Sequence, residues 1–379
     1  MNAKPLFTPS GFNEKFYGTA ELSFANYIQQ TREMLIKARI DLNTSNAQKI
    51  IDANCPSEWK PQKKSDHPIK KGILLIHGLN DSTFITQDLG KYFCSQGMLA
   101  RNILLPGHGT LPGDMLNIRY QEWLKAVDYG INSLAKEVDQ IFIVGLSLGG
   151  VLAVHTALSD PRISGVLLVA PALKIKGQWL LPLLIRLWQM TYVCSSRKNW
   201  YVYRDFQYDY AKYESFCCNA VLQIHALIQA LNQLLQKTAL TVPVFLATST
   251  TDEVIDSQHS LSFFNTLSNR KNRLLWYESE QTMPAHPNIT HRTSVYPNER
   301  ILNFSHYCLP ISPDNPHYGR DGDYQDFLRY LNNQPPDNRA RFLGAVHPAH
   351  LKKHVIQRLS YNPDFDYMAQ MMMAFIDSV

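Results

Sequence analysis

The sequence has little of what would tie it to a membrane, a nucleic acid or a metal. Its most apolar window, Trp179 to Val193, is broken by Pro182 and Arg186. It falls short of the roughly 20 clean apolar residues a membrane-spanning helix needs. The opening stretch, MNAKPLFTPSGFNEKF, is polar and interrupted by proline and glycine, without the apolar segment of a secretory signal. Basic residues do not gather: Lys63-Lys64 and Lys70-Lys71 are the densest spots, and the net charge is only +5 over 379 residues. A nucleic-acid binder would show a basic stripe or a known motif, so no nucleic-acid partner is expected. Cys55, Cys94, Cys194, Cys217, Cys218 and Cys308 form no CxxC pair and no metal-ligand spacing. Scattered cysteines of this kind suit a reducing compartment, and a cytoplasmic location is expected. There is no internal repeat and no low-complexity tract.

What is present is a rhythm of short apolar runs and helical segments. Gly72 to Ile76, Met98 to Leu105, Gln140 to Val144, Ile163 to Ala170, Val242 to Thr248 and Asn272 to Tyr277 read as strands buried on both faces. Between them, Thr86 to Gln96, Tyr120 to Lys136 and Ser257 to Leu267 read as helices, and Asp364 to Asp377 as a closing helix. Strand and helix in alternation predict an α/β architecture, a mostly parallel sheet flanked by helices. The rhythm breaks between Ala172 and Leu240, where helical spacing returns at Val221 to Leu235. A chain of this length fits one large core with additions. The expected organisation is an N-terminal helical or irregular extension (1–67), a first core part (68–171), a helical cap (172–240) and a second core part (241–379). Insertions are expected at about 279–303 and 310–360.

The chemistry gathers around Gly145-x-Ser147-x-Gly149. Such a string arises by chance roughly 0.1 times in a chain of this size at average glycine and serine usage. Here it directly follows the strand QIFIV and precedes small, helix-compatible residues, the strand–turn–helix setting of an exposed nucleophile. Serine needs a base to take its proton, and the base needs an acid to orient it. Asp252 lies just past an apolar strand, where sheet ends present functional side chains; Asp256 and Glu253 are its rivals, Asp256 reading better as a helix cap. His306, preceded by the small Ser305, is the expected base, with His317 the runner-up. His347, His350 and His354 sit in a lysine-bearing stretch and read as surface residues. The backbone N–H groups of Leu148, at the helix start, and of Leu79, in the His77-Gly78-Leu79 turn, are the expected oxyanion donors. The His77 side chain is then a brace, and Gly107-His108-Gly109 a structural turn.

Taken together, HGL at 77–79, LPGHG at 105–109, GLSLGG at 145–150, Asp252 and His306 resemble the α/β-hydrolase superfamily. Within it, the likeness is to the carboxylesterase and monoacylglycerol lipase branch. The resemblance covers about residues 70–172 and 241–310 plus the closing helix. It implies a serine–histidine–aspartate triad, an acyl-enzyme, no cofactor, and a cap after the sixth strand that matches the excursion at 172–240.

The expected substrate is a small-molecule acyl ester. Trp179, Leu183 and Trp188, with Leu180 and Leu184, would line an apolar pocket, or equally form the core between cap and sheet. Contact of this segment with a membrane surface is a further expectation. An acyltransferase or thioesterase would use the same triad, and a ligand-binding or interaction module on this fold is the alternative of another class.

Overall fold

The computed structural model describes residues 6–61, 70–177, 182–185, 201–203, 209–280, 286–324, 341–346 and 355–379. Trp179 and Trp188 lie outside these, as do His347, His350 and His354.

Eight strands make one sheet, in the spatial order Glu58–Trp59, Leu99–Ile103, Lys71–Ile76, Gln140–Leu146, Ile163–Val169, Val244–Ser249, Arg273–Glu278, Ile289–Thr293. All neighbours run parallel except the first pair, where Glu58 stands opposite Arg101. The expected α/β architecture is therefore present. Ile73, Leu74, Leu75 and Ile76 are all 0% exposed, which requires cover on both faces of the sheet. Burying a side chain of this kind is worth about 1.5–3 kcal/mol. The cover comes from helices Gln87–Ser95, Tyr120–Leu134, Leu148–Ala157, Ser257–Thr266 and Phe365–Ser378. The helix Cys218–Leu235 buries Ile224, Leu227, Ile228 and Leu231 and packs on Tyr120–Leu134 and Leu148–Ala157.

Two strands come from stretches that look like loops. Glu58–Trp59 joins the edge because Arg101, 2% exposed within the neighbouring strand, donates its Nε to Glu58 Oε2 at 2.6 Å and also pairs with Glu137. Ile289–Thr293 lies within the polar stretch expected as an insertion and closes the opposite edge beside Arg273–Glu278. Further on, Arg341–Gly344 and Val355–Arg358 pair in parallel outside the main sheet. They attach to the chain before His306 by Leu302 N–H to Leu343 O (2.9 Å) and Leu343 N–H to Arg300 O (2.9 Å).

The N-terminal extension is laced to the turn at 105–114. Asn13 Nδ2 donates to His108 O (2.7 Å) and Thr110 Oγ1 (3.1 Å), and Gly107 N–H donates to Asn13 O (2.9 Å). Buried Asp114 accepts from Ser10 N–H (2.5 Å), Ser10 Oγ (2.8 Å) and Thr110 Oγ1 (2.5 Å). These charge-assisted bonds leave an uncompensated gap if the carboxylate goes. Asp114→Ala should lower the unfolding free energy by about 2–3 kcal/mol, read as a fall in the urea midpoint at constant slope. An unchanged midpoint would show that the extension is not held here.

Candidate active site

Ser147 follows the last residue of Gln140–Leu146 and caps the helix Leu148–Ala157, with φ 51° and ψ −111°. A left-handed backbone at a non-glycine residue costs about 1–3 kcal/mol. Its neighbours show why both flanking glycines are needed. A Cβ on Gly145 would lie 2.2 Å from Gly149 O, and a Cβ on Gly149 would lie 2.3 Å from Ile76 O. Strand, turn and helix are packed backbone to backbone, and the serine is pushed up to the rim, 8% exposed.

The structure brings His306 and Asp252 to this serine. His306 Nε2 is 2.9 Å from Ser147 Oγ, and His306 Nδ1 is 2.7 Å from Asp252 Oδ2. Asp252 follows the strand Val244–Ser249; its Oδ1 accepts the N–H groups of Val254 (2.8 Å) and Ile255 (2.9 Å), which leaves Oδ2 aimed at the ring. Burial alone would lower the His306 basicity, but the charge and hydrogen bond of Asp252, then Glu253 and Asp81, outweigh it and raise its pKa above the usual 6.5. The histidine loop is held from four sides. Glu253 accepts the His306 N–H (2.9 Å), Thr251 Oγ1 donates to Phe304 O (3.1 Å), Ser305 Oγ donates to Leu359 O (2.5 Å), and Asn303 Oδ1 accepts Ala345 N–H (2.6 Å).

The rival residues are engaged elsewhere. Asp256 caps the helix Ser257–Thr266, accepting from His259 N–H at 3.1 Å, and pairs with Lys174 at 2.9 Å. His317 has both ring nitrogens on carboxylates, Nδ1 on Asp323 and Nε2 on Asp209 at 3.1 Å. His77 is fully buried: its Nε2 accepts Leu105 N–H (3.1 Å) and its Nδ1 meets Gly78 O (2.8 Å). Burial, then the nearby His108, hold its pKa well below 6.5, so it braces two turns as a neutral ring. Burial likewise takes His108 down to about 4.

The turn bearing Leu79 reaches the serine, since a Cβ on Gly78 would lie 3.3 Å from Ser147 Cβ. Leu148 is the first residue of the helix. Among the described residues neither the Leu79 nor the Leu148 amide is committed to a backbone acceptor. Leu183 is 53% exposed and Leu184 48% exposed. The described residues contain no group of three or more His, Cys, Asp and Glu arranged for a metal ion.

Sequence reasoning passed over Glu253 as a support for the histidine loop, and the clamp from Ala345 and Leu359. Neither carries a local signal, because partners 53, 42 and 54 residues away become neighbours only in the fold.

The chain is 31% identical over 104 residues to a thermostable monoacylglycerol lipase of Bacillus sp. (strain H-257), covering 27% of this chain and 42% of that relative. It is 23% identical over 209 residues to a carboxylesterase of Bacillus subtilis (strain 168), covering 55% of this chain and 82% of the relative. The chain thus spans under half the length of the first relative and most of the second. Among solved structures, a monoacylglycerol lipase of Paleococcus ferrophilus aligns with 16% identity and a TM-score of 0.47, over 73% of this chain and 97% of that one. The sequence profile described as serine aminopeptidase, S33 matches residues 67–280, more than half of the chain, and the protein belongs to that α/β-hydrolase family.

Proposed function

We propose that the protein hydrolyses carboxylic esters through an acyl-enzyme on Ser147. The observation that carries this reading is the unbroken line from Ser147 Oγ to His306 Nε2 (2.9 Å) and from His306 Nδ1 to Asp252 Oδ2 (2.7 Å). Ser147 Oγ attacks the ester carbonyl while His306 Nε2 takes its proton. Asp252 holds the ring in the Nδ1–H tautomer and offsets the imidazolium charge. The N–H groups of Leu79 and Leu148 receive the oxyanion, each such donor being worth about 2.7–4 kcal/mol. His306 then protonates the departing alcohol. A water molecule, giving its proton to His306, attacks the acyl-enzyme and releases the acid and the free serine. No cofactor takes part in this scheme.

The substrate class proposed is a small acyl ester, in line with the carboxylesterase and monoacylglycerol lipase named among the relatives. Trp179, Leu183 and Trp188 are proposed to line the acyl side of the site. Exposed Leu183 would then be covered only when an acyl chain or a lipid surface lies against it. Val202 and Phe216, 46% and 37% exposed, add apolar surface to the same excursion, which supports contact with a membrane surface. Among the described residues no helix is long and apolar enough to cross a membrane. Cys55, Cys94, Cys217 and Cys308 are thiols rather than disulfides, which supports the cytoplasm as the compartment.

Against p-nitrophenyl esters of increasing acyl length, the wild type should show an optimum. Ser147→Ala should lower kcat by a factor on the order of 10⁶ with the fold retained. Activity surviving that change would remove the acyl-enzyme reading; an inert wild type would favour transfer to a specific acceptor. Because the base must be neutral, kcat/KM should fall as pH drops through the raised His306 value, above 6.5, and a pH-independent profile would contradict its role. Leu183→Ser/Phe216→Ser should weaken co-sedimentation with liposomes relative to the wild type. Equal pelleting of the two, or none by either, would exclude membrane contact through this surface.

A further inference from the structure

The insertion at about 310–360 has no part in the scheme above, yet its last strand ends beside the base. Val355–Arg358 pairs with Arg341–Gly344 and stands outside the main sheet. Its final side chain, Arg358, runs to the loop that carries His306. Arg358 Nε lies 3.0 Å from Glu253 Oε1, and the other oxygen of that carboxylate, Oε2, accepts the His306 N–H at 2.9 Å. The carboxylate thus bridges the insertion and the base, one oxygen for each. The contact with Arg358 is one of charge, since neither Arg358 Nε nor Glu253 Oε1 makes a directed hydrogen bond among the described residues. The guanidinium carbon also lies 5.6 Å from the ring centre of Tyr307.

The next residue, Leu359, accepts Ser305 Oγ through its carbonyl (2.5 Å) and donates its N–H to Gly344 O (3.0 Å). Two consecutive residues, 358 and 359, therefore meet three consecutive residues centred on the base. A cation suits this place. Glu253 directly follows Asp252, and the two side chains are 11% and 1% exposed. A carboxylate taken out of water is costly unless it is paired or hydrogen-bonded. Asp252 meets two backbone amides and the ring; Glu253 meets one amide and Arg358. The Arg358 side chain is 42% exposed, so solvent screens the pair and its worth is modest.

We propose that Arg358 is a positioning residue of the active site: its guanidinium holds the Glu253 carboxylate against the His306 N–H, and the strand Val355–Arg358 is the element that delivers it. Arg358 touches no reacting atom and acts through Glu253 on the backbone of the base. Asp252 sets the direction of the ring, and the Arg358–Glu253 pair sets the place of the main chain from which the ring projects. The proposal rests on the ester-hydrolase reading for its effect on rate, though not for the contact itself.

Arg358→Ala should lower kcat on p-nitrophenyl esters about 2–5-fold with KM little changed. Arg358→Lys keeps the charge and should recover most of the loss. In a Glu253→Gln background, where the amide oxygen can still accept the His306 N–H, Arg358→Ala should cost nothing further. An equal loss in both backgrounds would show that Arg358 does not act through the carboxylate, and overturns the proposal. Titration with a serine-reactive phosphonate counts intact sites, so a misfolded variant is recognised. In a Ser147→Ala background, ¹⁵N-histidine NMR reads exchange of the His306 amide proton without turnover. Arg358→Ala should speed that exchange and Arg358→Lys should restore it. An unchanged exchange rate overturns the proposal whatever the kinetics. Faster exchange in a protein whose wild type hydrolyses no ester would keep the Arg358 contact and overturn only the ester reading.

Discussion

Ser147 holds its backbone at φ 51°, and the proposed catalytic arrangement depends on keeping that one residue left-handed. The strain is offset by bonds on either side of it. Ser147 N–H donates to Val169 O on the adjacent strand (3.0 Å), and Ser147 O accepts from Ala172 N–H and Gly150 N–H, each at 3.0 Å. A serine bonded in this way cannot relax toward an ordinary helix start without unpairing groups that have no water to replace them. The close approach of backbone at Gly145 and Gly149 removes the remaining space. The result is a Cα–Cβ bond whose direction is set by the main chain, with the hydroxyl placed 2.9 Å from His306 Nε2.

A fixed hydroxyl is useful only if the histidine is equally fixed, and here the means differ. The His306 loop has no regular structure of its own. It is held by Glu253 and Thr251 reaching in from the acid loop, and by its own Ser305 and Asn303 reaching out to the backbone of Leu359 and Ala345. The carboxylates around the ring divide the work, with Asp252 oriented by two backbone amides so that only one of its oxygens is offered. Precision at the serine comes from close packing, and at the histidine from a net of hydrogen bonds.

Much of this was legible in the sequence. The buried strands announced themselves as unbroken apolar runs, because a parallel strand covered on both faces has no polar side to show. The serine turn could be read because its steric needs are local: small residues two positions either side, a strand before, a helix after. Asp252 and His306 stood out by chain order and by their places past strands, and the fold brings both to Ser147. The remainder depends on contacts between distant residues. Ile289–Thr293 is an edge strand of half-exposed Ile, Thr, His and Arg, a pattern no different from a loop. Glu58–Trp59 is recruited by Arg101, 43 residues away. The start of the N-terminal extension, before helix Phe24–Ala38, looks irregular because the bonds of Ser10 and Asn13 go to Asp114 and His108, 104 and 95 residues distant.

The clamp on the histidine loop has a consequence for synthesis. A ribosome adds about 5–20 residues per second, N-terminus first, so the elbow at Ser147 can emerge and fold well before the chain that holds His306. Ser305 waits for Leu359, and Asn303 waits for Ala345. A nascent or prematurely ended chain can therefore bury its central strands and expose its serine while the base is still unanchored. On the reading proposed above, the base is anchored only after translation has run past Leu359.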